Sequence, residues 1–375
     1  MKKHIYADNA ATTALDPDAF EAMKPWLLDE YGNASQPYSF SRKPKEALKQ
    51  ARETIAECIH ARPEEVFFTS GGTESDNWAI KGVAISKNTH HDIVTSAIEH
   101  HAVLRACEAV ERQGVRVTYM LPNSDGTITS DILESYITDD SLLVSVMLAN
   151  NELGSIQPIK KLCRIAHGHG SLFHTDAVQA VGHIDIDVND LGIDLLSASA
   201  HKFNGPKGIG FLYIRDGKAI SPFMDGGAQE LGLRAGTENV ASIVGMAVAL
   251  KKNYSKLKIN KERITALEKK LLSILYEHRV PFVRNGGSNT LPGIISLSFA
   301  GKDGEAILHR MDLLGISIST GSACDSKNTE ISHVLRAINY PDNLAKGTVR
   351  ISLGRQNTEE DVEAIANALI KSVSK

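Results

Sequence analysis

The feature that most constrains the fold is a regular alternation of short apolar runs with amphipathic stretches between about residues 44 and 250. Several of the short runs are apolar on both faces, which is typical of strands in a covered parallel sheet. The stretch 44–60 places four apolar residues on one helical face, namely Leu48, Ala51, Ile55 and Cys58. The pattern therefore predicts an α/β fold with a mostly parallel sheet flanked by helices. The predicted strands cover residues 66–69, 92–96, 115–119, 142–148, 172–174, 195–197 and 210–214.

The pattern changes after about residue 255. A long charged helix is predicted there, followed by two strands and two further helices, at 261–279, 293–299, 303–314, 348–353 and 358–372. The chain has 375 residues, which is enough for two domains. We expect a large α/β domain at 15–255 and a smaller α+β domain formed by 1–14 and 256–375.

The composition is that of an ordinary globular protein, with 42% hydrophobic and 23% charged residues and a formal net charge of -4. This charge argues against a nucleic-acid partner or an anionic membrane surface. No apolar run reaches the roughly 20 residues of a membrane helix, and no apolar signal segment follows the first lysines. Three cysteines, Cys58, Cys107 and Cys163, lie in apolar helical stretches and are predicted to be inert core residues. Without paired cysteines or an export signal, we expect a cytoplasmic protein.

Lys202 ends the segment SASAHK, directly after a predicted strand and before a turn rich in glycine and proline. A lysine at a strand end can point into a cleft, where desolvation makes its amine nucleophilic enough to form a Schiff base. The alternative is a surface lysine beside a turn.

Four further motifs also follow predicted strands. Asp176 could pair with the protonated nitrogen of a pyridine ring or cap a helix. The segment 69–77 could bind a phosphate ester at a helix N-terminus or be an ordinary capped turn. His100 could stack on a flat ring and shuttle protons, or it could be a surface or capping residue. Asn151, after another strand, could offer hydrogen bonds to a ligand.

Taken together, the motifs meet at one expected sheet edge, where folds of this kind bind ligands. A phosphate cradle, a ring-nitrogen partner, a stacking histidine and a Schiff-base lysine describe pyridoxal 5'-phosphate. The clustered histidines have no zinc-ligand spacing, so we expect no metal site.

Specific motifs along nearly the whole chain resemble those of the cysteine desulfurases of the nitrogen-fixation and iron–sulfur-cluster type. They are YADNAATT at 6–13, TSGGTESDN at 69–77, EH at 99–100, NNE at 150–152, HTDAVQ at 174–179, SAHK at 199–202, RAGTEN at 234–239, GSAC at 321–324 and VRISLGR at 349–355. The resemblance implies a fold-type-I pyridoxal-phosphate enzyme that forms a homodimer.

The resemblance also implies a role for each matching residue. Lys202 would hold the cofactor, His100 would stack on its ring, Asp176 would pair with the ring nitrogen and Gln179 with the phenolic oxygen. The phosphate would be held by Gly72, Thr73, Ser199 and His201, and in the partner subunit by Thr237. Asn151 and Arg350 would bind the substrate carboxylate.

The implied reaction converts L-cysteine into L-alanine, with Lys202 removing the α-proton. The Cys324 thiolate would attack the substrate sulfur and become a persulfide, which then passes to a sulfur-acceptor protein such as an iron–sulfur scaffold. Asp325 follows Cys324, and a neighbouring carboxylate tends to raise the pKa of a thiol.

Two kinds of alternative stay open at this point. One is another enzyme on the same fold, a selenocysteine lyase or an aminotransferase, although an aminotransferase has no need of Cys324. The other is a non-enzymatic sulfur carrier, which would be expected to have lost Lys202, Asp176 or Cys324, and all three are present.

Overall fold

A computed structural model describes residues 4–86, 92–218, 220–320 and 331–374 of the chain. The strands are β1 Ile5–Tyr6, β2 Val66–Thr69, β3 Asp92–Ser96, β4 Arg116–Met120, β5 Ser141–Ser145, β6 Leu172–Asp176, β7 Leu195–Ser199, β8 Gly210–Ile214, β9 Val283–Arg284, β10 Ile294–Ser298, β11 Ile316–Ser317 and β12 Thr348–Ser352. The α-helices are α1 Pro17–Leu28, α2 Arg42–Cys58, α3 Gly72–Ser86, α4 His101–Glu111, α5 Ser130–Tyr136, α6 Ile159–Gly168, α7 Val188–Leu191, α8 Val240–Ser255, α9 Leu257–Glu277, α10 Gly304–Leu313, α11 His333–Ala337, α12 Asp342–Ala345 and α13 Glu359–Val373.

The main sheet has seven strands in the order β2-β8-β7-β6-β5-β3-β4. Its neighbouring strands are parallel except where β8 lies antiparallel between β2 and β7. Because β8 is antiparallel to both β2 and β7, these two strands point in the same direction. Strand β2 therefore runs the same way as β3, β5, β6 and β7. The carboxyl ends of these strands therefore meet at one edge. The prediction of an α/β fold with a mostly parallel sheet is confirmed.

Alternating strand residues fill a core on each face of this sheet, as the period of a strand requires. Phe67 and Leu212 pack on one side with Trp78 of α3 and Val103 of α4. Their neighbours Phe68 and Phe211 pack on the other side, with Ile55 of α2, Leu162 of α6 and Leu250 of α8. Both faces are thus covered by helices, which explains the continuously apolar strands.

The C-terminal part of the chain builds a smaller antiparallel sheet in the order β12-β10-β9. Helices α9, α10 and α13 cover it through a core that contains Leu271, Met311, Ile351 and Leu369. Ile5 belongs to the same core, because β1 pairs in parallel with β11. The domain boundaries expected at residues 15 and 255 remain predictions.

The expectation that three cysteines are core residues is confirmed. Cys58, Cys107 and Cys163 are free and buried. Burial raises the pKa of the Cys58 thiol to about 12 and raises the pKa of the other two as well. Thiols with a raised pKa hold little thiolate at neutral pH and are unreactive.

Candidate active site

A cavity of about 600 Å³ opens at the carboxyl edge of the main sheet. This volume lies within the range of small-molecule and cofactor sites. Most of the residues singled out from the sequence line it: Gly72, Thr73, His100, Asn151, Asp176, Gln179, Ser199, His201, Lys202 and Arg350. Except for Arg350, they lie at or after the carboxyl ends of strands of the main sheet, which the common strand direction brings together.

Lys202 lies in the cavity because a single 3₁₀ turn, residues 200–202, follows β7 directly. Its Nζ donates hydrogen bonds to the carbonyl oxygens of Ala10 and Ala11, the latter at 3.0 Å. The carbonyl of Ala10 also accepts from Gln179 Nε2 at 2.9 Å. The amine is therefore held at the cavity wall by the N-terminal segment of the chain.

Asp176 is the last residue of β6 and is almost fully buried. Its Oδ1 accepts the backbone N–H of Val178 at 2.9 Å, so it stabilises the following turn as well as lining the cavity. Burial raises the pKa of Asp176 to about 6, against the stabilising effects of that N–H and of Lys202. A buried carboxylate with one oxygen fixed by the backbone is suited to pair with a cationic ring nitrogen.

His100 caps a helix and also lines the cavity. It is the N-cap of α4, where Nδ1 accepts the N–H of Ala102 at 3.1 Å, and its ring lines the cavity. Burial, aided by Lys202 and His101, lowers the pKa of His100 to about 4. The imidazole is therefore neutral at pH 7, with its proton on Nε2, and presents a flat face of fixed orientation.

The N-terminal turn of α3 lines the cavity with Gly72, Thr73 and Glu74. The first N–H groups of a helix have no partner within it and attract anions. Gly72 is required here, since a Cβ at this position would lie 2.5 Å from Val178 Cγ2. Close packing of the helix start against the turn after β6 therefore brings the N-terminus of α3 to the cavity that Ser199 and His201 also line.

Arg350 reaches the cavity from β12 of the smaller sheet and is almost fully buried. Its Nη1 donates to the carbonyl of Asn151 at 2.9 Å, and its Nη2 pairs with Asp8 Oδ1 at 2.8 Å. Its Nε has no hydrogen-bond partner among the described residues. The guanidinium is thus oriented by two partners at the cavity wall.

Two predicted site residues are not found in this cavity. Thr237 is exposed and does not line it.

Cys324 lies outside the described residues. The chain before it contacts the site, because Ser319 and Arg350 exchange backbone hydrogen bonds of 3.0 and 2.7 Å. Beyond the gap, Ser332 Oγ donates to Glu152 Oε2 at 2.6 Å.

Sequence reasoning gave no role to Asp8 or Asp76, which also belong to this region. Asp76 lines the cavity although its side chain is buried. One signal could have identified it, since Asp76 falls on the same helical face as the buried residues Ile80 and Val83, at i, i+4 and i+7. An acidic residue on an apolar stripe indicates a buried polar function. Asp8 gives no comparable local signal.

One nitrogen or oxygen atom each of Asp76, His100 and Asp176 lie within 4.8 Å of one another. Such a set could hold a metal ion, and the expectation of no metal site stays a prediction. The groups that line the cavity also fit pyridoxal phosphate. A buried carboxylate, a neutral flat imidazole, an amine and a helix N-terminus match its ring nitrogen, ring face, aldehyde and phosphate.

The comparisons with known proteins agree with this geometry. Residues 5–365 match the family model described as aminotransferase class-V. The chain is 47% identical to the cysteine desulfurase IscS of Dictyoglomus turgidum, covering 100% of this chain and 96% of the relative. It is 44% identical to cysteine desulfurase IscS of Methanosarcina thermophila, covering 100% and 93%.

Solved structures give the same result. A NifS-like protein superposes with a TM-score of 0.94 at 36% identity, covering 99% of this chain and 100% of the other. A structure described as SspA in complex with cysteine superposes with a TM-score of 0.84 at 38% identity, covering 94% and 100%.

Fold and site together define a fold-type-I, pyridoxal-phosphate-dependent enzyme of the aminotransferase class-V family. Within that class, the chain belongs to the cysteine desulfurase family. The prediction of family, fold and cofactor is confirmed. No helix in the described parts of the chain combines the length and apolar character needed to cross a membrane.

Proposed function

We propose that this desulfurase converts L-cysteine into L-alanine at the cavity on the main sheet and transfers the sulfur to Cys324. The observation that carries the proposal is the convergence of Lys202, Asp176, His100 and the start of α3 on one cavity. Bound pyridoxal phosphate supplies an electron sink for the Cα of an attached amino acid. Asp176 would hold its ring nitrogen, His100 its ring face, Gln179 its phenolic oxygen, and Thr73, Ser199 and His201 its phosphate.

Lys202 is the residue that would move the α-proton. Its Nζ is held by two backbone carbonyls, which accept hydrogen bonds without transferring a proton themselves. A lysine amine held only by hydrogen bonds can leave the carbonyls and take a proton from Cα, then return it. The neutral His100 beside it does not compete as an acid at pH 7, since its pKa is lowered to about 4.

Arg350 and Asn151 would orient the substrate. The guanidinium of Arg350 lines the cavity, with Nη1 and Nη2 held by Asn151 and Asp8. A charged donor fixed in this way can bind a carboxylate with defined geometry. This fixes the substrate so that its Cα faces Lys202.

Cys324 would accept the sulfur as a thiolate. Its Sγ forms a bond to the substrate sulfur while the bond from that sulfur to Cβ breaks, which leaves a persulfide on the protein and, after protonation, L-alanine. Cys324 is five residues after Ser319, and five residues span at most about 17 Å. Since Ser319 is hydrogen-bonded to the backbone of Arg350, this length lets Cys324 reach the cavity.

The proposal includes a homodimer. Thr237 is exposed and lies outside the cavity of its own subunit, which supports a role in the site of a partner subunit. The segment before it is fixed by a bidentate pair between Arg234 and Glu74, with distances of 2.8 and 3.1 Å. Light scattering should give twice the 40.7 kDa mass of one chain.

The persulfide would pass to an acceptor protein such as an iron–sulfur scaffold in the cytoplasm. The free thiols of Cys58, Cys107 and Cys163 support a reducing compartment.

The test is to measure alanine and protein-bound persulfide after L-cysteine and a thiol reductant are added to the purified holoenzyme. The parent protein should form alanine in excess of enzyme. Cys324→Ala should keep the absorption of the bound cofactor and lose persulfide, whereas Lys202→Ala should lose both products. Cys107→Ala is the matched control, because that thiol is buried. Persulfide formation by Cys324→Ala at the parent rate would refute the assignment of the acceptor.

A further inference from the structure

Behind the ring-nitrogen position lies a row of buried polar side chains that the proposed reaction does not use. Ser145 of β5, His174 of β6, Ser197 of β7 and Asp76 of α3 are each almost completely buried. The register of the sheet sets Ser145 opposite His174, and Ser197 opposite Asp176. Four polar groups in an apolar core are costly unless they serve one another as hydrogen-bond partners.

The row forms a continuous set of contacts that ends at Asp76. His174 Nδ1 lies 2.8 Å from Ser145 Oγ, and His174 Nε2 lies 3.0 Å from Ser197 Oγ. His174 Nε2 lies 3.6 Å from Asp76 Oδ1, and Ser197 acts on Asp76 by lowering its pKa, although burial outweighs this effect. Complete burial lowers the pKa of His174 to about 3, so the ring is neutral and offers one donor and one acceptor. The row therefore brings no positive charge to Asp76.

The other groups that face Asp76 include two buried acids. One oxygen of Asp76 lies within 4.8 Å of one oxygen of Asp176, and a nitrogen of His100 is equally close. Glu99, which follows β3, is a further buried acid near Asp76 and would oppose the charge of Asp76 if both were ionised. Ionising both carboxyl groups this close together in a buried site is energetically unfavourable, so one of the two keeps its proton.

The surroundings decide which acid keeps the proton. Asp176 accepts the N–H of Val178 and is attracted by Lys202, and both favour its charged form. Asp76 Oδ1 has no hydrogen-bond partner among the described residues, and His174 Nε2 is 3.6 Å away from it. Accordingly, burial and Asp176 raise the pKa of Asp76 well above its ordinary value.

We propose that Asp76 is a positioning residue that remains a neutral carboxylic acid, so that Asp176 is left as the charged group facing the cofactor's ring nitrogen. The row from Ser197 to Ser145 holds the carboxyl group of Asp76 in place. If Asp76 lost its proton, Asp176 would have to take one up and would give up its pairing with the ring. This inference rests on the proposed binding of the ring nitrogen at Asp176.

The first measurement is infrared spectroscopy of the holoenzyme at pH 7. The parent should show a carboxylic-acid C=O band that disappears in Asp76→Asn. Glu99→Gln is the matched control, since Glu99 is a second buried acid with its pKa raised to about 8, and its own band should be separate. A spectrum of Asp76→Asn that retains every carboxylic-acid band would overturn the proposal.

The second measurement is the pH titration of a ¹⁵N-labelled cofactor ring by NMR. Asparagine copies the neutral acid, so Asp76→Asn should leave the protonation midpoint of the ring nitrogen where it is in the parent. If Asp76 were charged in the parent, the same change would remove a nearby anion and lower that midpoint by about 1 unit or more. Such a shift would refute a neutral Asp76.

The third measurement is the dissociation constant of pyridoxal phosphate. Asp76→Ala removes the group beside Asp176 and should weaken binding about tenfold, the effect of one buried hydrogen bond. Asp76→Asn should retain most of the affinity that Asp76→Ala loses. An equal loss of affinity in both variants, or no loss in Asp76→Ala, would contradict a positioning role. Circular dichroism would confirm folding, and the first two measurements do not depend on the alanine variant.

These readouts require bound cofactor but no sulfur transfer. A parent protein that binds the cofactor and makes no alanine would refute the proposed function. The protonation state of Asp76 would still be determined by the infrared and NMR measurements. A parent that makes alanine but lacks the acid band would refute the inference about Asp76 alone.

Discussion

The two sides of the active-site cavity are built in different ways. The proposed cofactor side consists of Lys202, Asp176, His100 and Thr73, which follow or end four strands of the main sheet. The substrate side consists of Arg350, Asp8 and Asn151, where Arg350 is separated from the other two by 342 and 199 residues. One side is therefore fixed within a single sheet. The other depends on how the smaller sheet sits against the main one.

This difference separates two functions that share one cavity. Changes on the cofactor side should alter the binding and electronic state of pyridoxal phosphate. Changes on the substrate side should alter the handling of L-cysteine and leave the cofactor in place. Three variants test this separation and a fourth tests the stability of the cofactor side, in order of decreasing effect.

The largest effect is expected for Asp176→Ala on the cofactor side. It removes the buried charge that would pair with the ring nitrogen, and loss of one member of such a pair costs about 3–5 kcal/mol. Alanine production should fall about 10³-fold, with weaker cofactor binding. The measurement is kcat together with a cofactor titration. A variant that keeps parent kcat would show that Asp176 does not act on the cofactor.

Arg350→Ala should have the next largest effect. Loss of a charge-assisted contact to the substrate carboxylate should raise KM for L-cysteine about 100-fold. The dissociation constant of the cofactor should stay close to that of the parent. If Arg350→Ala weakens cofactor binding as much as Asp176→Ala does, the two sides of the cavity are not separate.

Glu99 lies beneath the cofactor side and gives a prediction for stability. It is buried, with Oε1 accepting from Ser96 Oγ at 2.5 Å and from Met147 N at 2.8 Å. Burial raises the pKa of Glu99 to about 8. The folded protein therefore keeps a proton that the unfolded chain releases near pH 4.5. The stabilisation is complete below that pH and is lost as the pH rises towards 8.

Urea denaturation of the apoprotein and of Glu99→Gln measures this contribution. The stability of the parent relative to the variant should fall by on the order of 2 kcal/mol between pH 5 and 7. A difference that does not change with pH, or that grows with pH, would mean that Glu99 is ionised in the folded protein.

Ser332→Ala should have the smallest effect, on the substrate side. It removes the hydrogen bond to Glu152 and the cap of α11, at a cost of about 1 kcal/mol in unfolding free energy. Persulfide formation should slow a few-fold, because the chain after Cys324 loses a fixed point. Stopped-flow absorbance should show that the amount of bound cofactor is unchanged. A loss of bound cofactor would mean that Ser332 supports the cofactor side and not the substrate side.

The contrast between the two sides also explains what the sequence could predict. The strands 66–69, 92–96 and 210–214 have the predicted bounds, because each is a short apolar run with turn residues on both sides. Once the sheet is parallel, the strand order alone brings the cofactor-side residues to one edge. The fold, and the convergence of the predicted residues on one cavity, followed from local patterns.

The remainder required tertiary contacts that no local pattern contains. The pairing of Asp8 with Arg350 joins distant parts of the chain, and the hydrogen bonds of Lys202 go to backbone carbonyls, which any residue provides. The position of β8 between β2 and β7 could not be predicted from its apolar sequence either, because periodicity does not give strand direction.

The N-terminal segment has a consequence for the synthesis of the protein. Ile5 pairs with Ile316, and Asn9 N–H donates to Ser352 O. The partners of this segment are therefore synthesised more than 300 residues after it. The main sheet, in contrast, can form as its strands leave the ribosome in turn. Yet Ala10 and Ala11 supply the carbonyls that hold Lys202. The cavity can therefore be completed only after Ser352 has been translated, and a nascent chain halted earlier would have a folded sheet and no finished active site.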